Sequence, residues 1–401
     1  MKKVLFVSSR FPYPPIGGDV LFVYQQLKGL SKRYEVWLFA LDEFGKTDAK
    51  DIENLKKETG VKRVEVRNIS QLSSFFNAIK GYLFKDEPLQ IGFYFRKEIF
   101  ESIEKMSDEF KPDVSIFQTV RTAKYSDAVH TGSKVLFYAD AISLNYKRAL
   151  KHVKGKTKLI YSLERKKLLR YESRCADSFD GIAFHTLVDP SYLEKENKIS
   201  IDKGKLFIVP NGVDTEYFSY RAPEEKSNYR ISFVGNMRTV ANEDAVVFFA
   251  KEIFPRIRKK HENAEFYIIG SSPSKAVIEL GKTDGITVTG RVEDVRKYVW
   301  DSDVSVVPVR IAAGLQNKVL ESMAIGRPVV ATSTASKGIE NLKGDELLVS
   351  DDPEQFARYV VDLLENYEKR KKLSVKAREF VEKEYSWETA WEKMYEMVES
   401  V

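Results

Sequence analysis

Features typical of several other protein classes are scarce in this sequence. Cys175 is its only cysteine, and its four histidines show no metal-ligand spacing. A single thiol forms neither an intrachain disulfide nor a thiolate-rich metal site, so the sequence predicts a reducing, cytoplasmic location and no bound metal. No apolar run approaches the roughly 20 residues that span a bilayer, and the short run after Lys3 predicts a first β-strand rather than a signal peptide. Any membrane contact is therefore expected to be peripheral, at the inner face of the cytoplasmic membrane.

Positive charge is concentrated in the first half of the chain. The net charge is +6, but residues 1–205 carry 37 Lys and Arg against 27 Asp and Glu, whereas residues 206–401 carry 28 against 32. Such asymmetry accompanies contact with nucleic acid or an anionic membrane, and it also occurs as ordinary surface charge.

Short β-branched or apolar runs alternate with amphipathic helical patterns along the chain. This alternation is typical of βαβ units, and it predicts an α/β protein with two doubly wound parallel sheets. In the first half, strands are predicted at Val4–Ser8, Glu35–Leu41, Val61–Val66, Asp113–Gln118, Lys134–Tyr138, Gly181–Phe184 and Leu206–Val209. In the second half, they are predicted at Arg230–Val234, Glu265–Ile269, Ile286–Thr289, Asp303–Val307 and Pro328–Thr332.

Turn-forming residues separate the two series of strands. Pro210, Asn211 and Gly212 follow the last strand of the first series, as expected of a linker between domains. We predict domains at 1–208 and 209–385. A last helix at about 386–401 carries a Trp, Met, Tyr and Val stripe at helical spacing, which we expect to pack on one of the domains.

Two segments offer sites for an anionic or sugar ligand. In the first, a strand runs into a loop with Gly17 and Gly18 and then into a helix, so backbone amides can face an anion or a sugar hydroxyl. A Gly-Gly pair is also common in an ordinary tight turn. The dinucleotide fingerprint G-x-G-x-x-G is absent, which argues against NAD binding.

The second segment, 303–332, has the sequence DVSVVPVRIAAGLQNKVLESMAIGRPVVAT. It predicts a buried strand, a loop with Arg310, and a helix carrying Lys318 and Glu321. A loop at the C-terminal end of a parallel strand is where α/β sheets bind phosphorylated ligands. Arg310 and Lys318 are candidates to neutralise a diphosphate, and Glu321 could accept two hydrogen bonds from a ribose diol.

This segment, the run Val209-Pro210-Asn211-Gly212-Val213-Asp214 and the Gly17-Gly18 loop together resemble retaining glycosyltransferase family 4, the group 1 glycosyl transferases. The resemblance spans nearly the whole chain. It is greatest to sugar transferases of exopolysaccharide clusters, through GLQNKVLESMAIGRPVVAT and the strand 231–237. It implies a GT-B fold: two facing Rossmann-like domains with a cleft between them, the first binding the acceptor and the second the donor nucleotide. It also implies that the last helix returns to the first domain.

The resemblance assigns roles by position. Glu321 matches the glutamate that holds the donor ribose, and Arg310 and Lys318 become the clamp on the pyrophosphate. Other matched positions are Gly235, Gly314 and Leu315 near the phosphates and sugar, Arg291 and Val292 beside the nucleobase, and Asp140 facing the reaction centre.

Three positions depart from the family pattern. Ala313 replaces a glutamate, Ala139 replaces a histidine before Asp140, and Arg238 is the only match to a basic pair near the phosphates. The resemblance therefore gives little information about which residues contact the donor sugar. Asp140 could also simply cap a helix. His185, at the end of a strand, is a candidate acceptor contact, or else a packed or exposed histidine.

The segment 147–174 holds eleven Lys and Arg but only two acidic residues, Glu164 and Glu172. Its apolar residues recur at roughly helical spacing, which predicts either a basic amphipathic helix on an anionic membrane or a solvated helix packed in the first domain. Phosphate-rich lipid carriers are common acceptors in the family, and no basic-aromatic motif indicates nucleic acid. The membrane is therefore the preferred partner.

Together with the resemblance, these residues predict a hexosyltransferase acting with retention in polysaccharide or cell-surface glycan biosynthesis. It would move a sugar from a UDP- or GDP-linked donor to a glycan, glycolipid or lipid-linked acceptor. No cofactor is expected beside this substrate, because two cations and a helix N-terminus can stabilise the leaving diphosphate. Two alternatives stay open: a GT-B nucleotide-sugar epimerase, and a catalytically degenerate subunit that binds a donor or partner without turnover.

Overall fold

The computed structural model describes residues 1–69, 71–150, 153–311 and 314–401, apart from the side chain of Leu72. The chain forms two compact units, Met1–Pro210 with Ala390–Val401, and Asn211–Thr389. The first unit extends two residues beyond our predicted boundary, because the Val209 amide donates a hydrogen bond to the Phe184 carbonyl of that unit's sheet.

The first unit contains seven parallel strands: β1 Lys3–Ser8, β2 Glu35–Asp42, β3 Arg63–Asn68, β4 Val114–Gln118, β5 Ser133–Ala139, β6 Gly181–Phe184 and β7 Leu206–Ile208. They pair in the order β3-β2-β1-β4-β5-β6-β7. The inner strand β1 is buried from Val4 to Ser8, as expected of a parallel sheet covered on both faces.

Helices connect these strands. They are α1 Gly18–Arg33, α2 Ala49–Thr59, α3 Gln71–Phe84, α4 Leu89–Tyr94, α5 Lys97–Phe110, α6 Ile142–Ala149, α7 Gly155–Ser178 and α8 Val188–Asn197, with a 3₁₀ helix at Ala123–Ala128. The basic segment 147–174 was predicted as one helix, but it comprises the end of α6 and most of α7. Lys151 and His152, between them, lie outside the described residues.

The second unit contains six parallel strands: β8 Arg230–Val234, β9 Glu265–Ile269, β10 Ile286–Gly290, β11 Val304–Val307, β12 Val329–Ala331 and β13 Leu348–Val349. They pair in the order β10-β9-β8-β11-β12-β13. Its helices are α9 Val240–Phe248, α10 Phe254–Arg258, α11 Lys275–Leu280, α12 Val295–Trp300, α13 Asn317–Ile325, α14 Ser333–Ser336, α15 Pro353–Glu365 and α16 Tyr367–Glu384, with a π-helical turn at Phe249–Ile253. A last helix, α17 Trp387–Ser400, follows them. None of the helices in the described ranges is long and apolar enough to cross a membrane.

The last helix, α17, starts in the second unit, and its residues from Ala390 onward belong to the first. Its apolar stripe packs on α1. The Trp391 indole donates a hydrogen bond to the Gln25 carbonyl at 2.8 Å, and the Tyr395 hydroxyl donates one to the Gly29 carbonyl at 2.8 Å. The contact is tight because Gly29 has no side chain.

Gly29→Ala is expected to destabilise the first unit. A β-carbon at Gly29 would lie 2.2 Å from Trp391 Cδ1, so the indole would have to move, at a cost of about 1–3 kcal/mol. Gly→Ala in a helix otherwise raises the free energy of unfolding by about 1 kcal/mol. A decrease in that free energy would therefore indicate the clash with Trp391. Urea unfolding followed by tryptophan fluorescence measures it. The control is Gly204→Ala, whose β-carbon meets nothing nearer than Asp202 Oδ1 at 3.4 Å. Equal stability of the two variants would contradict the packing argument.

Candidate functional site

The sheet of the second unit has a topological switch point between β8 and β11. These strands are neighbours, but the chain continues from β8 toward β9 on one side and from β11 toward β12 on the other. Such points bind ligands in α/β proteins, just outside the carboxyl ends of the strands. The loops after β8 and β11 carry most of the predicted donor-site residues. Ala313, where the family has a glutamate, lies outside the described residues.

The loop after β8 is held close to the start of α9. The Asn242 side chain donates a hydrogen bond to the Asn236 carbonyl at 2.9 Å, and Thr239 caps the helix by accepting from the Asn242 amide. A β-carbon at Gly235 would lie 2.7 Å from Asn242 Nδ2, so this close approach requires glycine. Arg238 follows in the loop and is exposed.

Lys318 links α13, which follows the loop after β11, to α9, which follows the loop after β8. It lies in the first turn of α13, and its ammonium donates a hydrogen bond to Asn242 Oδ1 at 2.6 Å. Its Nζ atom lies 5.4 Å from the centroid of the Phe233 ring. Burial lowers the pKa of Lys318 to about 8, although the nearby carboxylate of Glu321 acts in the opposite direction. A cation therefore lies at the switch point with a neutral amide as its direct partner.

Glu321 follows Lys318 on α13 by three positions, close to one helical turn. Burial raises the pKa of its carboxyl to about 7, and the charge of Lys318 only partly offsets this effect. In the part of the chain that the structure describes, this carboxyl has neither a hydrogen-bond nor an ion-pair partner. It is therefore available to accept hydrogen bonds from a ligand.

Arg310 contacts α9, the helix that the Lys318 side chain also contacts, but its guanidinium is already paired. Its guanidinium donates two hydrogen bonds to the Asp244 carboxylate, at 3.0 and 2.6 Å, and lies 4.1 Å from the centroid of the Phe248 ring. The hydrogen bonds to Asp244 raise the pKa of the guanidinium. The predicted clamp residues thus lie beside one helix, and only Lys318 lacks a carboxylate partner in direct contact.

The other predicted donor residues follow strands of the same sheet. Gly314 has a φ of +64°. Gly314 and Leu315 pack closely on Gly338: a β-carbon placed on Gly338 would lie 3.3 Å from the Gly314 carbonyl oxygen and 3.2 Å from Leu315 Cα. Arg291 and Val292 follow β10, two strands from β8. The carboxyl ends of parallel strands share one edge of a sheet, so these residues lie along the same edge as Lys318.

The first unit contains a pocket of about 190 Å³ at the carboxyl ends of β1, β4 and β5. Asp140 is among the residues that line it. Asp140 does not cap α6: the cap position is Ala141, whose amide is bound by the Asp189 carboxylate at 2.9 Å. Glu172 in turn accepts hydrogen bonds from the amide and hydroxyl of Ser143.

The two carboxyls that hold the start of α6 are buried. Burial raises the pKa of Glu172 to about 7 and that of Asp189 to about 6. They satisfy the backbone amides that a capping Asp140 would otherwise bind. The carboxylate of Asp140 is therefore left to face the pocket.

The remaining predicted residues of the first unit are not among those lining this pocket. Gly17, with a φ of +103°, precedes α1 without capping it through a side chain, and Gly18 is exposed. The His185 ring packs against Phe22, with centroids 4.2 Å apart, and its Nδ1 lies 3.1 Å from the Val209 carbonyl oxygen. Burial lowers the pKa of His185, opposed by the charge of Asp140.

Several residues that complete these sites were not predicted from the sequence: Gln118 and Arg121 in the first unit, and Asn242 and Asp244 in the second. Gln118 ends β4 and Arg121 follows that strand closely, which is a usable signal, whereas Asn242 and Asp244 lie within α9. Polar residues at such positions are common, however, and only the contacts distinguish these four.

Comparison with known proteins finds a family match that lies within the second unit. Residues 228–366 match the model of the family described as Glycosyl transferases group 1. An uncharacterized 44.6 kDa protein in the cps region of Klebsiella pneumoniae is 21% identical over 398 residues, which cover 96% of this chain and 97% of that protein. A GDP-mannose-dependent monoacylated alpha-(1-6)-phosphatidylinositol monomannoside mannosyltransferase of Corynebacterium glutamicum is 24% identical over 215 residues, covering 48% of this chain and 55% of that protein.

Solved structures share the fold over the whole chain. Anabaena HepE in complex with UDP has a TM-score of 0.69 at 14% identity, with 100% of both chains covered. Sucrose-phosphate synthase from Thermosynechococcus elongatus has a TM-score of 0.65 at 16% identity, covering 100% of this chain and 98% of that one. Two Rossmann-like units with parallel sheets, together with these neighbours, define a GT-B fold. The chain carries a glycosyl transferases group 1 domain, and the protein is a glycosyltransferase.

Proposed function

We propose that this protein transfers a hexosyl residue from a UDP- or GDP-linked sugar, with retention, to a glycan, glycolipid or lipid-linked acceptor. The observation that carries the proposal is the pair Lys318 and Glu321 at the switch point. A cation and a carboxyl that has no hydrogen-bond partner among the described residues lie there about one turn apart on α13, placed to contact a diphosphate and a ribose respectively.

The proposed transfer reaction follows from where charge develops as the donor is cleaved. The bond between the anomeric carbon and the diphosphate oxygen breaks, and its electron pair moves to that oxygen. The Lys318 ammonium and the amides at the start of α13 stabilise the growing charge, so the proposal assigns no resident metal. The acceptor hydroxyl oxygen bonds to the anomeric carbon from the same face, and its proton passes to the departing diphosphate oxygen. Asp140 is the proposed catalytic carboxylate of the first unit, where it contacts a substrate hydroxyl.

The relatives support this substrate class. HepE has been solved with UDP-glucose, and the Corynebacterium glutamicum relative is named as a GDP-mannose-dependent mannosyltransferase. The Klebsiella pneumoniae relative lies in a cps region, which supports polysaccharide biosynthesis as the setting.

Incubation with a panel of UDP- and GDP-sugars tests the proposal. With a lipid extract as the source of acceptor, one donor should release its nucleoside diphosphate, and NMR of the product should show the anomeric configuration of the donor. An epimerase would instead yield an isomeric sugar, and a degenerate subunit would bind nucleotide without releasing product. Either result would overturn the transferase proposal.

We further propose that the enzyme is cytoplasmic and binds an anionic membrane surface peripherally. On α3, Ala78 and Gly81 approach Gly92 of α4, while another side of the helix stays exposed. Its exposed apolar side chains are Phe75, Phe76, Ile79, Leu83 and Phe84, and nearby α7 exposes Leu159, Ile160 and Leu163.

The same two helices and the residue after α3 also carry basic side chains. Lys80, Lys85 and Lys166 are exposed and suit anionic headgroups. Lys167 has a different role, because its ammonium donates a hydrogen bond to the Tyr82 carbonyl at 2.6 Å and so holds α7 to α3. Reversing the charge of Lys167 would therefore disturb the fold as well as the surface.

Phe76→Ser is expected to lower partitioning onto phosphatidylglycerol vesicles by about tenfold, because Phe76 is 71% exposed and its burial in lipid contributes at least about 1.5 kcal/mol. Added salt should also weaken binding. Co-sedimentation measures both effects. Ile278→Ser, at an exposed position of the second unit, is the matched control. If Phe76→Ser sediments like the parent, α3 is not the membrane contact.

A further inference from the structure

The pocket of the first unit is bordered by two residues with unusual backbone conformations. Thr119 and Ala139, at the ends of β4 and β5, have φ values of +66° and +61°, although neither is glycine. The left-handed region is unfavourable for both, and most of all for the β-branched threonine. Backbone strain of this kind persists where surrounding contacts enforce it, and it gathers at functional sites. Both residues line the pocket.

A buried polar side chain in the same lining has no partner. Gln118 is 4% exposed, and its Oε1 atom makes no hydrogen bond within the described ranges. Buried amides are normally hydrogen-bonded, and half a rotation of this one would present an N–H donor in the same place. The Gln118 side chain is therefore available to a ligand in the pocket.

Arg121 brings a positive charge to the same pocket. Its Nε donates a hydrogen bond to Gln90 Oε1 at 3.0 Å, and its guanidinium lies 5.1 Å from the centroid of the Tyr94 ring. These partners are neutral, and among the described residues no carboxylate forms an ion pair with it. Burial lowers its pKa, and the charge of Glu43 partly offsets this effect. The two terminal nitrogens of its fork form no hydrogen bond with any residue that the structure describes.

The other charges around the pocket are already matched or lie on another strand. Arg10 pairs with Asp19 at 2.6 Å and with Glu43 at 3.3 Å, so its single positive charge is more than offset by two carboxylates and does not compete with Arg121 for an anion. Asp140 follows β5, whereas Arg121 follows β4. An anion would therefore be attracted to the Arg121 side of the pocket and repelled from the Asp140 side.

We infer that this pocket recognises an anionic group of the acceptor, a phosphoryl or a carboxylate, through the Arg121 guanidinium and the Gln118 amide. The fork of an arginine matches two oxygens of either group in a bidentate pair. A glutamine N–H completes the site. The inference rests on the proposed transferase function for the identity of the ligand as an acceptor. It narrows that acceptor to an acidic glycan or a phosphorylated lipid-linked sugar.

Three small probes separate the chemistries: glucose 1-phosphate, glucuronate and methyl glucoside. Ligand-observed NMR titrations of the full-length protein, with saturating UDP or GDP present to occupy a donor site, give the three dissociation constants. We expect at least one anion to bind at least about tenfold more tightly than methyl glucoside. A preference for glucose 1-phosphate indicates a phosphorylated acceptor, and a preference for glucuronate indicates an acidic sugar.

Substitutions of Arg121 test whether the preference for an anionic probe depends on its guanidinium. Arg121→Gln should abolish it, and Arg121→Lys should keep part of it, because the charge remains without the fork. Arg63→Gln, at the opposite edge of the sheet, should leave it unchanged. An unchanged circular dichroism spectrum and an unchanged thermal unfolding midpoint show that each variant is folded. Equal affinity of the parent for all three probes, or a preference that survives Arg121→Gln, overturns the inference even if the enzyme transfers sugar. Conversely, an Arg121-dependent preference without any sugar transfer would support the anion site and refute the proposed function.

Discussion

Lys318→Met is expected to lower kcat by about 10²–10³-fold while changing the donor KM far less, because the ammonium acts on charge that develops only as the glycosidic bond breaks. Lys318 suits this role because it lies at the switch point with the Asn242 amide as its direct partner. Methionine keeps the apolar stem near Phe233 and removes only the charge. An interaction made mainly in the transition state reduces kcat rather than binding.

Steady-state kinetics with the donor found in the sugar panel measure this effect. Lys372→Met, at an exposed position on α16, is the matched control and should retain parental kinetics. If Lys318→Met keeps parental kcat, the switch-point cation has no part in the chemistry.

The same kinetics on Arg310→Met test the other half of the predicted clamp. Its guanidinium is neutralised by Asp244, so we expect a smaller loss of kcat than for Lys318→Met. A loss as large would mean that the arginine leaves Asp244 for the diphosphate during turnover, as the family resemblance implies. Asp244→Asn distinguishes the two cases, because it frees Arg310 without removing it.

Glu321→Ala is expected to weaken binding of the nucleoside diphosphate by roughly 10- to 100-fold, which corresponds to losing a charged hydrogen-bonding partner worth about 1.5–3 kcal/mol. The carboxyl has no partner among the described residues, so its loss leaves no buried group unpaired in the free enzyme. Glu321→Gln should do less harm, because the amide oxygen still accepts one hydrogen bond from the ribose. Calorimetry with UDP and GDP measures both variants.

The effect of Glu321 should depend on pH. Its pKa is raised to about 7, so the carboxyl becomes neutral in the free enzyme as pH falls below that value. Hydrogen bonds from a ribose diol favour the charged form, and nucleotide affinity should therefore fall below about pH 7. The terminal phosphate of the nucleotide also titrates, at about pH 6. Glu321→Gln is the control for this second titration. Its nucleotide affinity should change with pH only through the phosphate, so the difference between the parent and this variant is the contribution of the carboxyl.

Two outcomes would refute this role. If Glu321→Ala binds UDP and GDP as the parent does, the carboxyl does not contact the nucleotide. If the parent and Glu321→Gln show the same pH dependence, only the phosphate titrates in binding.

Much of the fold follows from local patterns in the sequence. The bounds of Gly181–Phe184, Arg230–Val234 and Glu265–Ile269 are those predicted, because a strand buried on both faces is a short apolar run wherever it lies in the sheet. β13 was missed, since Leu348–Val349 is short, partly exposed and defined only by its pairing with β12. The basic segment 147–174 was predicted as a helix from the spacing of its apolar residues between Leu159 and Leu169, and these residues all lie in α7.

The sequence by itself determined the α/β class, the two series of strands, and the segment 303–332 with Lys318 and Glu321, because strand and helix periodicities and turn residues are local properties. Only the tertiary structure decided which of those residues meet. Lys318 is hydrogen-bonded to Asn242, 76 residues away, and Arg310 to Asp244, 66 residues away. Arg121 lines the pocket without an ion pair to any carboxylate among the described residues. Such contacts depend on which strands lie side by side, and strand order is set by hydrogen bonds between distant segments that no local pattern encodes.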